Sequence, residues 1–387
     1  MKIKTASVLI ILLMLISAVQ VVAIDNSKES FTICTKTEQI GFNEIKINEK
    51  NDFLTVDLIS ANSEIFSAGR PKLPVYKKTY IFPLNTKIKN IECTFSDIEE
   101  ISINRKIEPA ENPIPKTNIK LEKKEETLDK SIYSSEDLFP KKSYDYKISV
   151  GIKDKKNVVI LNVYLYPVRY SPLKNKLFYT KNFELSVSYQ ESFDALKSSD
   201  EYDMVIICSN SFKNQAQKLA DHKNNIGIKT KVKTTNSIYI DSHLEKYDAV
   251  GRDRPEKIKY FIKWARENWG IDYVLLMGGR IGQLLNFWHV PIRYTNLNAD
   301  FWEKGFISDL YFSDIYKYNE SKETYMFDDW DSNGNDIFAE WRYVKNDESE
   351  WVLYKDELDL YPDVYIGRLA CRNKKEARIV VDKIINY

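Results

Sequence analysis

Two short runs in the last third of the chain, Tyr273-Val274-Leu275-Leu276-Met277-Gly278 and Asp363-Val364-Tyr365-Ile366-Gly367-Arg368-Leu369-Ala370-Cys371, restrict its architecture more than any other feature. Their apolar residues follow one another with little polar alternation, so both faces of each strand must be covered, and each run opens into a loop or a helix start. Strands of that kind belong to a parallel sheet layered between helices. The flanking sequence agrees. Met204-Val205-Ile206-Ile207-Cys208 is another continuous apolar strand; Ser209 or Asn210 can cap a helix with Phe212, Ala216 and Leu219 on one face, and Gly227 is placed to end it. Lys229 to Lys233 reads as the next strand. Pro255 opens a helix with the stripe Ile258, Phe261, Ile262 and Ala265, which leads into Tyr273. After Ala370, Asn373 and Glu376 form a capping box ahead of Ala377, Val380, Val381 and Ile384. Right-handed crossovers between such strands give a mostly parallel, doubly wound sheet. The last helix has a start signal and no stop signal before Tyr387, so its packing partner is expected in polypeptide beyond this sequence.

Ahead of this α/β region the period changes. From about residue 31 to 190 the runs are short and often alternate, as in Phe53 to Ile59, Tyr80 to Phe82, Val158 to Tyr166 and Phe183 to Tyr189. Alternation means one wet and one buried face, which predicts antiparallel β structure arranged as a β-sandwich. Val158 to Tyr170 and Lys176 to Tyr189 are expected to form a hairpin across Ser171-Pro172-Leu173-Lys174-Asn175. Residues 104–145 hold Pro109, Pro113 and Pro115 and then a Lys/Glu-dense run, the composition of a solvated, protease-sensitive connection. A polar seam, Gln190 to Glu201, separates the two regions.

At 387 residues there is room for two or three cores. Lys and Arg total 57 against 56 Asp and Glu, a net charge of +1, so no bulk field draws nucleic acid or an anionic membrane. Lys2 and Lys4, an apolar run from Ala6 to Ala23 and small residues at Val21 and Ala23 form a signal-peptide pattern with cleavage after Ala23; an uncleaved anchor is the other reading. Either places the remainder outside the cytoplasm, with the membrane met only through this segment. Cys34, Cys93, Cys208 and Cys371 allow three pairings, and their spacing fits no zinc site. Cys371 follows a buried strand without a nearby histidine, which favours a packed or bridged thiol over a nucleophile. His222, His243 and His289 all lie outside Gly-rich turns, so no catalytic pair is expected within these residues.

The sharpest chemical motif is Asp329-Trp330-Asp331-Ser332-Asn333-Gly334-Asn335-Asp336-Ile337-Phe338-Ala339-Glu340. Asp329, Asp331, Asn333, Asn335 and Glu340 stand where a calcium loop carries its oxygen donors, and Gly334 permits the sharp turn. Missing helix signals on either side, and an apolar residue one place later than usual, leave an Asn-Gly turn with solvated carboxylates as the competing reading. A structural Ca2+ is the expectation. Gly278, Gly279 and Gly282 lack phosphate-loop spacing, which argues against a nucleotide. Trp288, Trp302, Tyr311, Phe312 and Tyr316 mark either a packed loop or a substrate-facing surface. Asp309 and Asp314 read as calcium ligands or helix caps before acid/base groups.

Taken in order, the Tyr273 to Gly278 strand, the Ser308-Asp309 segment, the calcium-type loop and Val364 to Cys371 with the helix ending Ile384-Ile385-Asn386-Tyr387 resemble the gingipain family of secreted cysteine endopeptidases. Gly69-Arg70-Pro71-Lys72-Leu73-Pro74-Val75 and Tyr166-Pro167-Val168-Arg169-Tyr170 look like that family's β-rich inhibitory propeptide. The resemblance implies an α+β multidomain protein: a signal peptide at 1–23, a propeptide at 24–195, and at 201–387 the N-terminal half of a caspase-like α/β catalytic domain. It also implies a zymogen in which the propeptide is an intramolecular inhibitor, with protein or peptide substrates and a Cys-His pair downstream of residue 387. No catalytic residue transfers to a position in this sequence. Gly279 stands where the family has an acidic residue, which removes a calcium ligand there. A non-catalytic, calcium-stabilised extracellular binding or adhesion module on the same scaffold is the alternative.

Overall fold

The computed structural model describes residues 32–111, 128–191, 201–240, 251–282, 287–297, 305–345 and 349–387. The expected signal segment 1–23, most of the Lys/Glu-dense run, residues 192–200 of the seam, His243 and Trp302 lie outside the described residues. The chain forms two compact units, one of residues 1–80, 87–147 and 161–191 and the other of residues 81–86, 148–160 and 192–387. The second unit thus takes in two short pieces from ahead of the seam.

The antiparallel strands are β1 (Ile33–Gly41), β2 (Pro74–Pro83), β3 (Lys87–Ser102), β4 (Tyr144–Lys153), β5 (Lys156–Leu165), β6 (Val168–Ser171) and β7 (Lys176–Gln190). β7 pairs with β1, β3 and β6, and its alternation decides its faces: Leu177, Phe183, Leu185 and Val187 are buried while Lys181 and Glu184 are exposed. A second sheet has the order Ser63–Glu64, β2, β5, β4. The hairpin expected from Val158 to Tyr189 is therefore shorter than its sequence pattern. Only Val168–Ser171 pairs with β7, whereas Lys156–Leu165 lies in the other sheet. Pro167 separates the two, because it has no N–H with which to continue a ladder. β4 and β5 are joined through Asp154 and Lys155, whose φ angles of 50° and 62° are those of a two-residue turn matched to strand twist.

In the second unit β8 (Met204–Cys208), α1 (Lys213–Asn225), β9 (Thr230–Thr234), α2 (Arg254–Trp269), β10 (Tyr273–Met277), β11 (Tyr365–Leu369) and α3 (Lys374–Asn386) follow in order. The sheet is wholly parallel with the order β9-β8-β10-β11, and Met204 pairs in register with both Thr230 and Tyr273. One face packs Ile206, Cys208 and Met277 against Phe212, Ala216 and Leu219 and against Ala377 and Val381 of α3. Val205, Ile207 and Leu276, which alternate to the other face, are also fully buried, as are Ile258, Ile262 and Ala265 of α2. Burial of each large side chain contributes roughly 1.5–3 kcal/mol. Asp253 caps α2 through the Glu256 N–H at 3.0 Å, and Gly270 ends it at a φ of 76°. Asn373 caps α3 in the same way through Glu376. Ser209 makes no capping bond; a single 3-10 turn over Asn210–Phe212 precedes α1.

Candidate functional site

Ligands of open parallel sheets bind at the carboxyl ends of the strands, beside the point where strand order reverses. Here that point lies between β8 and β10. Beside it, at the carboxyl ends of β10 and β11, backbone from three segments meets. Gly278 N–H donates to the Leu369 carbonyl at 2.9 Å, Gly279 N–H to the Cys371 carbonyl at 2.8 Å, and His289 N–H to the Gly279 carbonyl at 3.0 Å. A Cβ on Gly279 would lie 2.4 Å from the Ala370 carbonyl oxygen, so this glycine serves close backbone approach and not phosphate binding. Arg368, to which no role had been assigned from sequence, fastens the same edge. Its guanidinium forms a bidentate pair with Asp309 at 2.7 and 2.8 Å and donates to the carbonyls of Gly278, Val290 and Pro291. Asp309 is thus a partner that orients Arg368. Next to this edge, an open hollow is lined by Arg280, Gly282, Arg372, Asn373 and Glu376.

All four cysteines are free thiols. Burial pushes the Cys208 thiol up to about 12 and also raises Cys371, which is 3 % exposed, so neither presents a thiolate at neutral pH. Cys371 is packed in the core between the sheet and the helices. The His289 ring lies 4.4 Å from that of Phe212, and its Nε2 contacts the Arg372 carbonyl oxygen at 3.0 Å. Tyr311, Phe312 and Tyr316 are buried, and Tyr311 packs edge-on against Trp330 at 5.4 Å; this part of the aromatic segment is core.

The acidic loop is arranged around an arginine. Arg252 donates to Glu256, Asp329, Asp331 and Asp336, with its guanidinium 4.5 Å from the Phe338 ring. These carboxylates, Glu256 foremost, hold Arg252 far above its ordinary pKa. At the other end of the loop the Asn333 and Asn335 amides donate to Glu340 at 3.0 and 2.7 Å, while their oxygens accept the N–H groups of Asn335 and Ile337. Burial acts to raise Glu340, but bonds from Asn335, Arg342 and Asn333 outweigh it and hold the carboxyl below its usual range. The five residues expected around Ca2+ are engaged with Arg252 at one end of the loop and with one another around Glu340 at the other, and Asp331 Oδ1 links the two by accepting the Asn335 N–H at 3.0 Å. Among the described residues no three His, Cys, Asp or Glu side chains are placed to hold a metal. No helix flanks the loop, and Glu340 opens a strand running to Lys345.

Beneath the loop, fully buried Lys259 donates to the Asp328 carbonyl and lies 4.3 Å from the Tyr311 ring. Burial pulls this ammonium down and pushes Asp314 up. Asp314 accepts from Trp330 Nε1 at 2.8 Å and from the Leu360 N–H at 2.9 Å, so its carboxylate braces the loop from within, while only its backbone N–H closes the short helix Leu310–Ser313. Lys259 and Arg252 sit on one helix and just ahead of it; Glu256, four residues after Arg252, is a local partner, but the contacts of both with Asp328, Asp329, Asp331 and Asp336 join residues some seventy or more apart in sequence.

Compared with known families, the propeptide family C25 model matches residues 17–215, and the Peptidase family C25 model matches residues 197–387. No curated protein matches. Solved structures also show likeness, two of which follow. One gives structural insight into the zymogenic latency of gingipain K from Porphyromonas gingivalis, at 17 % identity over 45 % of this chain and 100 % of that one, with a TM-score of 0.34. The other is the complex of Porphyromonas gingivalis RgpB pro- and mature domains, at 14 % identity over 46 % of this chain and 86 % of that one, with a TM-score of 0.31.

Proposed function

The chain belongs to peptidase family C25 and carries the family's propeptide region, and from that premise we propose that it is the precursor of a secreted, gingipain-like cysteine endopeptidase held as a zymogen by its own propeptide. The observation that carries the reading is the pair of family matches in series, propeptide then peptidase, which together run from residue 17 to residue 387. It does not favour a binding or adhesion module.

In this reading, residues 201–387 supply the scaffold of the catalytic domain, and the thiol and imidazole come from polypeptide following Tyr387. The burial of Cys208 and Cys371 supports that division of labour, since a nucleophile must be both deprotonated and reachable. The complete site would then have a histidine-activated thiolate attack a peptide carbonyl, with backbone amides holding the oxyanion. The export pattern at 1–23 supports action outside the cell. Calcium enters the reading only as a competitor of Arg252 for Asp329 and Asp331.

The test is direct. Residues 24–387 should show no hydrolysis of a fluorogenic peptide library, and iodoacetamide at pH 7.5 should leave Cys208 and Cys371 unlabelled in the native chain by mass spectrometry. Hydrolysis abolished by Cys371→Ser would overturn the assignment of catalysis to other residues.

A further inference from the structure

The turn and inner strands of the β4–β5 hairpin, residues 148–160, belong to the second unit although they lie within the span matched by the propeptide model. They are seated by side chains and backbone of the α/β fold. Val150 N–H donates to Asp359 Oδ2 at 2.7 Å and Ile152 N–H to the Pro362 carbonyl at 2.8 Å. Asn157, 8 % exposed, is read from both sides: its Nδ2 donates to Asp363 Oδ1 at 3.0 Å, and its Oδ1 accepts from Arg266 Nε at 2.8 Å. Arg266 also donates to the Lys155 carbonyl at 2.9 Å and pairs with Asp272. Asp363, fully buried, spends its other oxygen on the N–H groups of Ile315 and Tyr316.

Asp272 stands immediately before β10 and Asp363 two residues before β11, so this seat is at the amino ends of the parallel strands. The opposite, carboxyl edge is where such sheets bind ligands. We propose that Arg266, Asp359, Pro362 and Asp363 form a receptor for a β-hairpin carrying an asparagine at its inner face, and that it holds residues 148–160 independently of the carboxyl edge of the sheet. Asn fits because one amide can donate to a carboxylate and accept from a guanidinium at the same time. An apolar residue satisfies neither neighbour, and a carboxylate would confront Asp363.

The inference does not rest on the precursor reading, and its test needs no peptidase activity, so the two fail separately. Hydrogen–deuterium exchange on the full chain would follow the Val150 and Ile152 amides. Asn157→Asp should accelerate their exchange by at least about tenfold, the loss of a little over one hydrogen bond's net stabilisation. Protection at Gly278 and Gly279 should persist. The swap Asn157→Asp with Asp363→Asn restores one donor and one acceptor in reversed order and should return the hairpin amides to their original protection. Unchanged exchange in the single variant, failure of the swap to restore protection, or equal loss at Gly278 and Gly279 would each overturn the proposal. If the single variant does not fold, recovery of folded protein by the swap supports the proposal, and no recovery overturns it.

Discussion

The two ends of the parallel sheet are each fastened by one arginine, and the two fastenings differ in kind. At the carboxyl edge Arg368 gathers three backbone carbonyls and Asp309, whose side chain is 27 % exposed, so the attachment is partly wet and the approach is made by glycine backbone. At the amino edge Arg266 and Asp272 are each only 2 % exposed and are joined to an asparagine 109 residues away in sequence. A buried ion pair is weak evidence for stability, but removing one partner strands the other charge. The amino edge should therefore be the brittle end of the sheet and the carboxyl edge the adaptable one.

Three substitutions would break or sharpen that contrast. Arg266→Met leaves Asp272 buried without its counter-charge and should cost about 3–5 kcal/mol, read as a lower urea midpoint at unchanged slope. Arg368→Met should cost less, about 1–3 kcal/mol, since Asp309 can turn to water and only the carbonyls lose donors. Equal losses for the two would erase the distinction. The smallest change is expected at Arg252, a third arginine among carboxylates but itself 34 % exposed. Arg252→Gln should lower the melting temperature by a few degrees in chelator and make it rise with added calcium, whereas the unaltered chain should respond weakly, because an ion that binds only the folded state stabilises it by mass action. A melt indifferent to calcium in both proteins would remove the ion from the loop.

The elements of the α/β unit were legible because their signals are local. Continuous apolar runs fixed the strands, and Asp253, Pro255, Gly270 and the Asn373–Glu376 pair mark helix ends within a turn or two of where they act. The turn at Asp154-Lys155 was less visible, because neither residue announces a positive φ as glycine does. Val158 to Tyr166 showed the right period, yet period alone does not say which sheet a strand joins. In the acidic loop the same oxygen pattern serves a divalent ion or a guanidinium, and the choice depends on Arg252, which lies about eighty residues earlier.

Sequence alone determined the class of each region, since side-chain period and capping act within a few residues, and it carried the family pattern of a propeptide followed by a peptidase scaffold. Only the tertiary structure decided that residues 148–160 are held by Arg266 and Asp363, that the loop carboxylates take a guanidinium, and that Cys208 and Cys371 are shut away from solvent. Those outcomes depend on charges and hydrogen-bonding groups brought together across long stretches of chain, and their energies arise only once folding has removed the water between them.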